Sequence, residues 1–461
     1  RDSTSDEIVL TRNGQLLARE PVGTDHAFVI SGAAGTADSL TIQFSSGDPL
    51  PAKGVTWDGK DLGGIDRLSL VGGQLDWMKV FIGADAGSGE VEVGQVGSSP
   101  SRIRFQSVES LNTNSEVTHT EISLSNSSDQ VQVQAASDNS FLLVGPSLVD
   151  LKLKNPIGSL LIDGNGGDDQ IEVGGSLYSL DGVDLTLQAE QIAIRAPIEM
   201  GGGNFSAAGV TFLSERNGPI RTEGGNVLLN HVGEVRIGAD IVTKGGSFHS
   251  GGGGSLTVTH YAAKILTNGT SGGGELVVDH LGDVVLHTVT TGGGSVDIES
   301  ESNVTLLGQL DMRGGGAEHF RTAGANFTSD RYVILYTGGA DTQFDFSESI
   351  YLGNQLRTAG GGVQVIGGGT FETSTFGQLV SQGGDIRLSD VANVILRNSV
   401  LTAGGEFVSQ SESGFFRIDG YLTKIDSSGP LVDGGVSITH AGDIDLFQVI
   451  TGGGALHLNT I

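Results

Sequence analysis

Gly273-Gly274-Glu275-Leu276-Val277-Val278-Asp279-His280-Leu281-Gly282-Asp283-Val284-Val285-Leu286-His287-Thr288-Val289-Thr290-Thr291-Gly292 holds one complete turn of a repeat. Glu275 to Asp279 is close to strict alternation, His280-Leu281-Gly282-Asp283 is a turn, Val284 to His287 alternates again, and Val289-Thr290-Thr291 leads into the next glycines. Short period-two runs bounded by glycine read as β-strands, here two short ones and a third of three residues. Gly383 to Gly404 repeats the frame with Asp385-Ile386-Arg387-Leu388, Val394-Ile395-Leu396-Arg397 and Val400-Leu401-Thr402. Gly434 to Gly453 does so again with Val436-Ser437-Ile438 and Ile444-Asp445-Leu446. Glycine doublets or triplets recur from Gly201 to Gly454 at steps mostly of about 20 to 24 residues, the range of solenoid coils. The longer interval from Gly405 to Gly434 is expected to hold an extra or looped coil.

A single coil of this size has almost no interior, so its apolar side chains are buried only when coils stack at about 4.8 Å and each strand pairs above and below. Val, Ile, Leu and occasional Phe then point inward, Ser, Thr, Asp, Glu and Gln point outward, and glycine serves the sharp corners. The expected fold is therefore all-β: a parallel β-helix (β-solenoid) with about 20–24 residues per coil and three short strands. Some twenty coils would make a rod on the order of 100 Å long.

Residues 191–461 carry the regular repeats. Residues 1–190 alternate too, as in Asp38 to Phe44, Arg67 to Val71, Gln130 to Val133 and Ser159 to Ile162, but less regularly. Longer connections such as Ser46 to Gly54, with Pro49 and Pro51, are expected to be loops projecting from the same solenoid. A separate β-sandwich over roughly 1–130 is the competing arrangement.

Composition removes whole classes. Of 461 residues 75 are glycine, more than twice the roughly 7% of ordinary proteins, yet with nine prolines there is no collagen pattern. Fifty-four Asp+Glu against 25 Lys+Arg give a net charge of -29, which repels phosphate backbones, so nucleic acid is not an expected partner. Without cysteine there is neither a disulfide framework nor thiolate chemistry. No stretch approaches 18 consecutive apolar residues and no signal-type segment opens the chain, so no membrane insertion is expected of it.

The phrase Thr-Gly-Gly-Gly-x-apolar-x-apolar occurs at Thr291 to Ile298 and at Thr451 to Leu458. It resembles filamentous-haemagglutinin-type exoproteins and autotransporter passengers. Asp38-Ser39-Leu40-Thr41-Ile42 followed by Gly47-Asp48-Pro49-Leu50-Pro51, and Asp163-Gly164-Asn165-Gly166-Gly167-Asp168-Asp169, are similar to repeats in giant surface proteins of planctomycete-type bacteria. The resemblance covers nearly the whole chain, but its motifs are architectural. It implies a secreted or surface-displayed right-handed parallel β-helix serving as adhesin, stalk or spacer.

Two constellations invite a chemical reading. Gly164 to Ile171 is close to the calcium-binding nonapeptide of secreted β-rolls, with Asp163, Asp168 and Asp169 as candidate calcium ligands. It departs from that pattern at Asn165 and has no tandem copy, and the alternative is an Asp/Gly corner. Calcium is the one cofactor the sequence raises. His231, His260, His280 and His440 read as one recurring coil position, three of them opening a His-x-Gly-acid turn. His260 and His280, one repeat apart, could stack beside a carboxylate and hold a transition metal, while histidines capping a corner account for the recurrence as well.

An enzyme is not expected. A polysaccharide lyase needs a basic cluster, and cations here are scattered. A pectin-type hydrolase would show paired aspartates near Gly-His-Gly, which is absent; there is no Gly-x-Ser-x-Gly elbow, and only Trp57 and Trp77 offer sugar-stacking rings. The expected role is a structural or adhesive segment of a secreted or cell-surface bacterial fibre. A carbohydrate-binding or carbohydrate-cleaving β-helix and a calcium-stabilised surface-layer component are the rivals. The last glycine triplet opens a coil that stops at Ile461, so self-association, or pairing with other surface proteins, through open solenoid ends is expected, and polysaccharide is the other partner class considered.

Overall fold

Alternating apolar residues between glycines leave the chain one regular option, and among the described residues every regular element is a β-strand. The computed structural model describes residues 7–12, 15–21, 25–60, 64–146, 148–175, 178–270 and 272–461. The strands stack in parallel as a β-solenoid. Two compact units are formed, Arg1–Val210 and Thr211–Ile461.

In the second unit each coil contributes three strands, as the repeat predicts. The first face runs Val227–His231, Phe248–Gly252, Leu276–His280, Val296–Ser300 and onward to Leu456–Thr460, each strand parallel to the next and in register. The second face runs from Val235–Ile237 through Leu256–Val258 and Val284–Leu286 to Ile444–Asp445. Two- and three-residue strands from Ile220–Arg221 to Val449–Ile450 make the third. Inward columns are apolar; Leu276, Val278, Val296 and Ile298 are all 0% exposed. Phenylalanine fills the widest part, with Phe327 and Phe344 edge to face at 5.0 Å between centroids.

The glycine corner has a defined construction. A buried Thr or Ser ends the third strand, and its hydroxyl donates to the carbonyl of a glycine three residues on: Thr291 to Gly294 at 2.6 Å, Thr402 to Gly405 at 2.5 Å, and likewise Thr222, Thr243, Thr358 and Ser381. The next residue is left-handed and need not be glycine, being Glu223, Lys244, Ala359, Gln382 or Ala403 at φ 53–57°. The one after has φ 109–120° at Gly224, Gly245, Gly360, Gly383 and Gly404, a region that L side chains avoid. On the last glycine a Cβ would press on the coil below: at Gly384 on the Gly361 carbonyl, and at Gly405 on that of Gly384, in both cases closer than 3.0 Å.

Two coils are longer. Leu276 follows its partner Phe248 by 28 residues and Val436 follows Phe407 by 29. Both insertions open at this corner, and Thr267 still donates to Gly274 at 2.6 Å and Ser427 to Gly434 at 2.7 Å. The interval from Gly405 to Gly434 is thus one looped coil. In the final strand Leu456 and Leu458, in register with the buried Val436 and Ile438, are each 48% exposed.

The first unit is wound differently from the expectation. Leu111 pairs with Leu68, 43 residues earlier, and with Leu151, 40 residues later. The added length is antiparallel strand, not projecting loop: Gly89–Gly94 lies between Gln74–Ile82 and Ser101–Gln106, and Ser140–Val144 between Gln130–Ala136 and Asp150–Lys154. Val91, Val93, Phe141 and Leu143 bury there, so the excursions extend the core. Pro49 and Pro51 flank Leu50, itself only 7% exposed.

The corner makes substitutions at two positions diagnostic. Thr402→Val removes the hydroxyl and should cost about 1–3 kcal/mol, whereas Thr402→Ser should stay close to the parent, because serine already fills this position at Ser381 and Ser427. Gly384→Ala should cost about 1–3 kcal/mol by overpacking. Thermal or denaturant unfolding of the three variants measures this, and equal stability of the valine and serine forms would remove the hydroxyl from the account.

Candidate functional site

The candidate calcium ligands lie at a corner of the first unit. Asp163 ends one strand, and its Oδ1 accepts the N–H of Asn165 at 2.9 Å. Asp168 is exposed, with its N–H given to Ser128 Oγ at 3.1 Å. Asp169, 0% exposed, turns its carboxylate inward, where Oδ1 accepts the Asp129 N–H at 2.7 Å and Oδ2 lies where a Cβ on Gly164 would meet it at 2.7 Å. Among the described residues no three His, Cys, Asp or Glu side chains gather in a way that could hold a metal ion. Asn165 sits at φ 64° and ties its amide to the Leu124 carbonyl at 2.5 Å, so the glycine-rich phrase is spent on an Asp/Gly corner.

That corner belongs to a pattern missed in the sequence. Asp38 N–H donates to Asp66 Oδ1 at 2.7 Å and Asp66 N–H to Glu109 Oε2 at 2.6 Å. In the second series Asp129 N–H donates to Asp169, and Asp169 N–H to Glu190 Oε2 at 2.8 Å. Each carboxylate sits at the mouth of a strand and accepts the amide of the acid on the neighbouring coil. Burial, then the neighbouring charges of Glu190, Asp129 and Asp168, push the Asp169 carboxyl up, against its hydrogen bond from Asp129. The signal was available: an acid stands directly before each alternating run, as in Asp66-Arg67-Leu68, Glu109-Ser110-Leu111 and Asp169-Gln170-Ile171.

The histidines divide. His231, His280 and His440 close first-face strands and are buried at 0–1% exposure. His280 Nε2 bonds Ser250 Oγ at 2.9 Å and its Nδ1 the Gly254 carbonyl at 3.2 Å; His440 Nε2 bonds Ser409 Oγ at 2.9 Å. His231 and His440 pack on Phe212 and Phe416 at 5.5 and 5.8 Å. His260 does not share the position: it follows the second-face strand Leu256–Val258, and the first-face residue paired with His280 is Gly252. The stacked pair His260 and His280 is therefore not formed. Burial lowers the pKa of His280 and of His440, so these imidazoles are structural and neutral.

Of the aromatic platforms, Trp57 is a core residue at 3% exposure and Trp77 lies across Gly94. The first face of the second unit carries an open polar channel of about 950 Å³. It crosses the coils over two outward columns, Asp341, Gly362 and Asp385 in one and Arg321, Gln343, Gln364 and Arg387 in the other. Asp341 Oδ1 accepts the Gly362 N–H at 2.8 Å, and Arg387 pairs with Asp385 at 2.8 Å and Glu406 at 3.1 Å.

No family model, curated protein or solved structure matches this sequence.

Two outcomes follow. Melting temperatures measured in calcium and in EDTA should coincide; a rise with calcium would mean that Asp163, Asp168 and Asp169 rearrange around the ion. For His280 and His440 the folded pKa lies below the unfolded value of about 6.5, so the unfolded chain binds more protons between the two. Their contribution is complete above about pH 6.5 and is lost as pH falls below it. Asp169 has the opposite sign, its stabilisation present at low pH and lost as pH rises through its elevated pKa. Unfolding midpoints from pH 8 to 5 should fall less steeply in a His280→Gln/His440→Gln double variant, and an unchanged slope would assign the dependence elsewhere.

Proposed function

We propose that the chain is a structural or adhesive segment of a secreted or cell-surface protein, a stacked-coil scaffold rather than a catalyst. The observation that carries this reading is the corner: the same hydroxyl-to-carbonyl bond and close glycine contact recur in most coils of the second unit, and the bond survives both insertions. Such a device serves regular stacking and leaves the outward columns free to vary. The recurrent Thr-Gly-Gly-Gly phrase, with its resemblance to filamentous-haemagglutinin-type exoproteins, supports an extracellular placement. The acidic balance of -29 supports a soluble surface that resists non-specific contact with nucleic acid and anionic lipid.

Incubation with acidic and neutral polysaccharides, with and without calcium, should release no reducing or unsaturated ends, and antibodies should label intact cells of the source organism. Product release would overturn the non-enzymatic half of the reading, and labelling confined to permeabilised cells the extracellular half.

A further inference from the structure

We infer that the first-face channel of the second unit binds a linear, uncharged oligosaccharide lying across the coils. This goes beyond the scaffold reading and stands or falls without it. The channel floor is Gly362, which has no side chain, between Asp341 and Asp385 on the neighbouring coils. The walls are planar polar groups at successive coil heights: the Gln343 and Gln364 amides and the Arg321 and Arg387 guanidinium groups. Among the described residues the side-chain amides of Gln343 and Gln364 have no hydrogen-bond partner, and both line the channel.

Four arguments choose the ligand. The backbone amides and carbonyls below are committed to the parallel ladders, so an extended peptide finds no edge to pair with and would meet only side chains. Small-molecule sites are mostly apolar, whereas this lining is largely polar and its one ring, His319, is held by Asp297 at 2.8 Å, so the ligand is to be recognised by hydrogen bonds along its length. Charges within the channel nearly balance, Asp297, Asp341 and Asp385 against Arg321 and Arg387, in a protein with a large acidic excess. A polyanion is repelled by the whole and a polycation is not favoured at this place over others, which leaves a neutral chain dense in hydroxyls. From Asp297 to Arg387 the channel spans five coils, about 19 Å at about 4.8 Å per step, so several sugar units fit end to end. Adjacent hydroxyls on a sugar ring match the paired atoms of a carboxylate, an amide or a guanidinium.

Gly362 makes the test clean. Its φ is not left-handed, and a Cβ there would meet only Asp341 Oδ1 at 3.5 Å and the Asp385 carbonyl at 3.6 Å, both ordinary contacts. Gly362→Phe should therefore fold and fill the channel. Isothermal titration of the full chain with cellohexaose, maltohexaose, xylohexaose and N-acetylchitohexaose should show binding of at least one, tightening at least tenfold from disaccharide to hexamer. Gly362→Phe and, separately, Gln343→Ala/Gln364→Ala should weaken it at least tenfold at unchanged melting temperature, while Thr328→Phe on the second face leaves it intact. No binding by any of the four, binding of oligogalacturonate or chitosan hexamers alone, or binding indifferent to both channel variants would overturn the inference.

Discussion

A solenoid coil must turn three corners within about twenty residues and still let the next coil lie about 4.8 Å above it. In the second unit one corner meets both demands with three contacts. The Thr or Ser hydroxyl closes the turn onto a carbonyl of its own coil, as Thr358 does to Gly361. The central glycine N–H donates to the next coil, Gly360 to the Ser381 carbonyl at 2.6 Å and Gly383 to Thr402 at 2.5 Å. The final glycine leaves room for the carbonyl below it. Remove the hydroxyl and a buried carbonyl loses its donor; add a methyl to the last glycine and the two coils cannot reach ladder distance. Strand register on all three faces depends on that distance being kept.

The first unit answers the same demand with different chemistry. Its coils vary in length, from 21 residues between Ile171 and Ile192 to 43 between Leu68 and Leu111, and their corners are set by carboxylates that accept amides from the adjacent coil, Asp38 to Asp66 to Glu109 and Asp129 to Asp169 to Glu190. Glycine again makes space, this time for the acid itself: a Cβ on Gly59 would meet Asp66 Oδ2 at 2.6 Å and one on Gly164 would meet Asp169 Oδ2 at 2.7 Å. The cost is like charge at close quarters. It adds to burial at Asp169, the most buried rung, where desolvation first and the neighbouring acids second hold the carboxyl above its usual range.

Parallel stacking, three strands per coil and the inward columns were legible in the second unit because alternation and glycine spacing report the same period independently. Coil length in the first unit was not, because Gly89–Gly94 and Ser140–Val144 alternate like any other strand and nothing in that pattern tells parallel from antiparallel. Histidine position failed at His260 for a related reason. Val-Thr-His at 258–260 and Ile-Thr-His at 438–440 look alike, but one closes the second face and the other the first. Asp163, Asp168 and Asp169 are adjacent in sequence, whereas in the fold backbone amides occupy oxygens of Asp163 and Asp169 and Asp168 faces solvent. The channel at Gly362 was invisible, because it is made by five coils that the sequence lists one at a time.

The outward columns show what the stack leaves free. Some cations meet an acid on the adjacent coil, Lys244 with Glu223 at 2.5 Å, Arg321 with Glu299 at 3.3 Å and His319 with Asp297 at 2.8 Å, and others an acid two residues away, as Arg313 does with Asp311. Exposed pairs of this kind contribute little stability each, at most about 1 kcal/mol, so they are better understood as fixing side-chain positions on a flat face. With 25 cations for 54 acids most of the surface cannot be paired, and its charge keeps other acidic macromolecules away. The Gly362 channel differs in that its charges come close to cancelling and its amides are unspent. An inward geometry that recurs in most coils of the second unit thus leaves the outward columns free to vary, and at Gly362 that freedom makes the channel in which a ligand would be read.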